Sequence, residues 1–220
     1  MSQKALLLVG SPKGFESTSN SLGEYLLGKL QSGGFQTEKI HIQTAVHNEE
    51  KTAAMLARAA ESDILILAFP LFIDCLPAPV ILALEKIAEN RKTLQASKRS
   101  RILAIVNNGF PDSGQNATAV AICRQFAKET NLDWTGGLML GGGGMINGVS
   151  LEEAPMVKNV KKALDFAAED LLQSRAVSDK AVKLMARPIV PKRLYTMFAN
   201  MGWKTMAKKY GQQKKLKEAP

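Results

Sequence analysis

The chain has 220 residues, 45% of them apolar and 22% charged, which is the length and composition of one globular domain with a short appendage. No apolar run approaches the ~20 residues of a membrane-spanning helix. The two cysteines, Cys75 and Cys123, exclude a disulfide framework or an iron–sulfur site. His41 and His47 stand apart from any Cys or acidic cluster, so no metal site is expected. A strand-like run begins within a few residues of Met1, so no export signal is expected and a cytoplasmic setting is.

The formal charge of +9 is unevenly placed. Nine of the 29 basic residues but one of the 20 acids, Glu218, lie from Arg187 onward. The first 186 residues therefore hold 20 bases against 19 acids. A nucleic-acid enzyme more often spreads its cations over the working face, so no nucleic-acid partner is expected.

In chain order, strands are expected at 4–10, 36–42, 63–69, 101–107 and 134–140, with helices at 18–32, 49–61, 77–91, 114–130 and 151–174. The runs DILILAF and RILAIVN are continuously apolar, as in strands buried on both faces. QTEKIHI alternates and suits an edge strand, and WTGGLML is weakened by its two glycines. The first helix has two candidate starts: a capping box at Ser21 and Glu24, or a cap one turn earlier at Ser17 or Thr18. Five alternations of strand and helix predict a parallel sheet with helices on both faces. In such sheets ligands bind beyond the carboxyl ends of the strands, which selects three loops.

The first loop, GSPKGFESTSN, carries hydroxyls at Ser11, Ser17, Thr18 and Ser19 and a cation at Lys13 before a helix N-terminus. That set suits a phosphate monoester, and a long capped turn is the alternative. Neither nucleotide-binding glycine spacing is met, because position 15 is Phe and the Gly141–Gly144 run follows the last strand. The second loop, PLFIDCLPA, places Pro70, Leu71, Phe72 and Ile73 where a strand should end at solvent. A flat ligand or a second subunit would cover such residues. Cys75 in the same loop reads either as a redox thiol or as a small apolar filler, and Asp74 as a proton relay or a cap. The third loop opens with Asn107, Asn108, Gly109 and Phe110. Its amides and N–H groups match a heterocycle's polar edge, or simply build a turn and a cap.

Taken together, GSPK…STS, PLFIDCLPAPV and NNGF resemble the loops of the flavodoxin-like NAD(P)H-dependent FMN reductase family, in order and spacing over roughly residues 3–175. This family includes FMN-dependent quinone and azo reductases. Here Lys13 stands where Arg is usual, Phe72 where Tyr is frequent, Asn107 and Asn108 where glycines are, and Phe15 and Glu16 are extra. The resemblance implies a three-layer, doubly wound, five-stranded α/β sheet of order 2-1-3-4-5. It also implies FMN as cofactor, NAD(P)H as co-substrate, ping-pong transfer to a small acceptor such as a quinone, and a homodimer or homotetramer. On this reading Ser11, Lys13, Ser17, Thr18 and Ser19 hold the 5′-phosphate. Pro70–Ile73 and Asn107–Phe110 flank the ring, the backbone N–H groups of residues 71–73 and 108–110 bond its polar edge, and no side chain is required as acid or base. The alternative is a flavodoxin-like FMN-binding, electron-transfer or regulatory protein without NAD(P)H turnover.

Residues 1–175 are thus expected to form the FMN-binding domain and 176–220 a basic helical extension. In the extension, Leu194, Met197, Phe198 and Met201 make an apolar stripe that Gly202 interrupts before Trp203, Met206 and Tyr210. The extension reads either as a peripheral contact with an anionic membrane or as an arm packed on protein.

Overall fold

The computed structural model describes residues 2–94, 98–213 and 216, apart from the side chains of residues 192 and 198. The described strands are β1 (Lys4–Val9), β2 (Gln36–His41), β3 (Ile64–Pro70), β4 (Arg101–Asn107) and β5 (Asp133–Leu140). They pair in parallel in the order β2-β1-β3-β4-β5, as the resemblance implied. The helices are α1 (Thr18–Ser32), α2 (Ile42–Ala45), α3 (Glu49–Glu61), α4 (Ala78–Thr93), α5 (Ala117–Glu129), α6 (Lys158–Leu172), α7 (Asp179–Met185) and α8 (Lys192–Lys209).

Side chains of a strand alternate between faces, and that period builds two cores. Leu7, Val9, Ile66, Ala68, Leu103 and Ile105 pack with α1, α6 and α7. Leu6, Leu8, Leu65, Leu67, Ala104 and Val106 pack with α3, α4 and α5 on the other side. Each fully buried Leu or Ile contributes ~1.5–3 kcal/mol of transfer free energy. The continuous apolar runs of β1, β3 and β4 follow from this two-sided burial. β2, at the edge, is only partly covered. Cys123 lies fully in the second core, where burial pushes its thiol up to about 12 and leaves it unreactive at neutral pH.

The first compact unit runs to Ile189 and so takes in residues 176–189; a second begins at Val190. α7 belongs to the first because Ala181 and Met185 are buried in its core. Asp170, at the end of α6, positions it: Oδ2 accepts the Ser178 N–H at 2.9 Å and Oδ1 accepts from Arg175 at 3.0 Å.

α1 spans the expected 18–32 and takes the earlier of its two candidate caps: Ser17 Oγ accepts the Asn20 N–H at 3.1 Å, and Ser21 lies inside the helix. Two helix expectations need correction. The helix expected from 151 starts at Lys158, since Met156 follows Pro155 with φ 60°, incompatible with a right-handed helix. The helix expected from 114 begins as a 3₁₀ turn, Ser113–Asn116, before α5. β5 tolerates its two glycines because the register slips between Ile102 and Leu103, leaving Thr135 as the extra residue of a bulge. Gly136 follows it at φ 147°, a region open to glycine.

Candidate functional site

The parallel register brings the carboxyl ends of β1, β3 and β4 to one edge, at Val9, Pro70 and Asn107. The three expected loops meet there around a cavity of about 190 Å³. It is lined by Ser11, Lys13, Ser17, Thr18 and Ser19 from the first loop, Pro70, Leu71 and Phe72 from the second, and Asn107, Asn108 and Gly109 from the third. Ile73 and Phe110 do not line it; they stand outside at 97% and 60% exposure.

The hydroxyls divide into two sets. Ser17 Oγ donates to Gly14 O at 2.7 Å while it caps α1. Thr18 Oγ1 donates to Gly143 O at 2.7 Å, tying α1 to the loop after β5. Both protons are therefore spent on the fold. Ser19 Oγ instead accepts from Asn107 Nδ2 at 2.7 Å, and Ser11 Oγ accepts from the Lys13 N–H at 3.4 Å. Each of these two keeps an O–H to donate. Ser11 and Ser19 are buried beside the first turn of α1, whose leading N–H groups have no intrahelical acceptor. Two hydroxyl donors, a helix N-terminus and the exposed Lys13 form a set that favours an anion.

The asparagines build the loops. Asn107 Nδ2 also donates to Phe69 O at 3.2 Å, joining β4 to β3. Asn108 Nδ2 donates to Asp112 O at 3.0 Å, and its Oδ1 accepts the Phe110 N–H at 2.9 Å. The backbone donors expected to face a ligand are largely engaged as well. Leu71 N–H bonds Asn107 O at 2.7 Å, Phe72 N–H bonds Cys75 O at 2.9 Å, and Asn108 N–H bonds Leu140 O at 3.1 Å. What the second loop offers is surface. Phe72 and Cys75 exchange two backbone bonds around Ile73 (φ 46°) and Asp74 (φ 57°), a tight turn with both central residues left-handed. A β-branched residue there is strained by ~1–3 kcal/mol. The turn holds Phe72 half-exposed at the cavity mouth and Ile73 beyond it.

Pro12, Glu16, Gly144 and Asn147 also line the cavity and were not expected. The last two come from the glycine-rich loop after β5. The sequence signal was available: β5 ends at the same sheet edge, since Asn107 pairs with Leu140. The extra residues of the first loop form a 3₁₀ turn, Gly14–Glu16. Phe15 packs on His41 at 4.1 Å between ring centroids, and Lys39 Nζ sits 4.8 Å over the Phe15 ring. Burial, then the charge of Lys39, holds the His41 imidazole below its ordinary pKa, and both its ring nitrogens are buried without a partner among the described residues. The turn is closed from the other side by Gly148 (φ 81°), where a Cβ would lie 2.5 Å from Glu16 C.

No family model matches the sequence, and no curated protein matches it significantly. Solved structures do match. An NADH:FMN oxidoreductase in its apo form has a TM-score of 0.62 at 14% identity, over 88% of this chain and 98% of that one. An NAD(P)H:quinone oxidoreductase from Methanothermobacter marburgensis has a TM-score of 0.58 at 12% identity, over 78% and 96%. An FMN-dependent NADH-azoreductase from Bacillus anthracis, solved in complex with FMN, has 0.54 at 14%, over 77% and 99%. At these identities the likeness establishes a flavodoxin-like fold.

Proposed function

We propose that this chain is an FMN-dependent oxidoreductase that draws hydride from NADH or NADPH and serves a small acceptor such as a quinone. The observation carrying the proposal is the pairing, at one sheet edge, of a donor-rich end at Ser11, Lys13 and Ser19 with the partly exposed apolar lip of Pro70, Leu71 and Phe72. A flat heteroaromatic monophosphate needs that combination, and the donor set fits its phosphate end. The cavity of about 190 Å³ is below the ~300 Å³ of a full ligand pocket. It suits the phosphate and its polyol chain, with the ring on the open lip.

In this reading the O–H groups of Ser11 and Ser19, the Lys13 ammonium and the N–H groups opening α1 hold the phosphate. Ser17 and Thr18 shape the turn that presents those donors. Pro70, Leu71 and Phe72 form one wall for the ring, Gly109 permits close approach on the other, and Phe110 and Ile73 shield the approach from water. Bound FMN supplies two-electron redox chemistry, so the chain's own work is binding, orientation and exclusion. The reading carries a cytoplasmic setting with it. Phe72, Ile73 and Phe110, exposed at the site's rim, favour completion by a second copy in a homodimer or homotetramer.

FMN binding without NAD(P)H turnover is the second reading. It is favoured by the backbone donors at Leu71, Phe72 and Asn108, which the loops themselves consume. Titration of the full chain with FMN tests the site both readings share. The proposal expects saturable quenching of flavin fluorescence. Absence of quenching at high micromolar protein removes both.

A further inference from the structure

Glu16 is the one acid lining the cavity among the described residues, and it shares that lining with Lys13. Their formal charges cancel. A phosphate monoester carries about −1.5 to −2 at pH 7, so the cradle leaves most of that charge to two hydroxyls and a helix N-terminus. The turn that carries Glu16 is held in place by its neighbours. Phe15 is anchored on His41 at 4.1 Å, and its carbonyl accepts from Asn20 Nδ2 at 3.1 Å. The backbone of Gly148 closes against Glu16, as no larger residue could. The turn cannot swing Glu16 away without giving up those contacts.

We propose that Glu16 is a specificity-determining residue that opposes the flavin's phosphate, so that the site takes flavins as exchangeable ligands and holds FMN little more tightly than the unphosphorylated flavin. This deepens, and rests on, the flavin reading above. Ring and polyol contacts then dominate affinity, and the phosphate adds little. Lys13, which lines the same cavity, works in the opposite direction.

The test is fluorescence-quenching titration of the full chain with FMN and with riboflavin, for wild type, Glu16→Gln and Lys13→Gln. Melting temperatures confirm that each variant is folded; both sites are exposed and the changes nearly isosteric or flexible. Wild type is expected to bind the two flavins within about threefold of each other. Glu16→Gln should tighten FMN about fivefold, the upper end for an interaction between solvent-exposed charges, and leave riboflavin within about twofold. Lys13→Gln should weaken FMN alone. A wild-type preference for FMN of about a hundredfold, an unchanged FMN-to-riboflavin ratio in Glu16→Gln, or no effect of Lys13→Gln on FMN would overturn the inference and leave the flavin reading standing. Failure of both flavins to bind would sink that reading too.

Discussion

Within the run Ser17, Thr18 and Ser19, three adjacent hydroxyls do three different jobs. Ser17 caps α1, Thr18 fastens α1 to Gly143, and Ser19 accepts from Asn107 with its own O–H left to donate. Ser17→Ala should therefore lower stability by ~1 kcal/mol, the usual cost of an N-cap serine, or a few degrees in melting temperature. Ser11→Ala with Ser19→Ala should instead weaken FMN with little change in melting. Thermal melts and flavin titration on the same samples separate the two, and equal effects on both readouts would contradict the assignment. The sequence shows that this loop is rich in donors. It does not show which protons the fold uses, because that depends on Gly14, Asn107 and Gly143, up to 125 residues away. Glu16 was missed as a lining residue for a like reason: its position depends on Gly148 and on Phe15 meeting His41.

Among the elements, β1, β3 and β4 were legible because burial on both faces demands unbroken apolar runs, and β2 by the alternation of an edge strand. The start of α6 was not, since Met156 adopts φ 60° and ends the apparent periodicity before Lys158. The packing of α7 into the core was not legible either; its place depends on Asp170, a carboxylate with only 7% exposure. Burial alone would raise that carboxyl, but bonds from the Ser178 N–H and side chain, and the nearby Arg175, outweigh it and hold the group below its ordinary value. A depressed folded pKa means stability that is fully present above the unfolded value, near 4, and lost as pH falls through the folded one. Asp170→Asn should cost ~2 kcal/mol at pH 7, as for a lost hydrogen bond to a charged group. It should also flatten the acid limb of stability against pH, and chemical denaturation at pH 7 and pH 3 checks both. An undiminished acid limb in the variant would assign that limb to other carboxylates, such as Asp63, which is held low despite burial by the Lys4 N–H and Lys98.

For the molecule as a whole, alternation of strand and helix predicted the layers, and the resemblance supplied the strand order. The extension from Val190 obeys no such rule. In its helix α8, Met197, Met201, Trp203 and Met206, with Tyr210 just after it, are exposed beside Lys204, Lys208 and Lys209, and no acid occurs from residue 190 to 217. Among the described residues no helix is long and apolar enough to cross a membrane. Exposed aromatics with cations fit peripheral contact with an anionic bilayer. Flotation should carry the full chain with anionic vesicles at low salt and release it at high salt; equal recovery with a chain ending at residue 187 would remove that contact. The central claim is redox turnover at the sheet edge, and its direct test is anaerobic mixing of the FMN-loaded chain with NADH and, separately, with NADPH. The account predicts that at least one nucleotide bleaches the flavin's visible absorbance within the mixing experiment, and that a quinone then restores it. An oxidised flavin spectrum unchanged by either nucleotide, from protein shown to bind FMN, would contradict it.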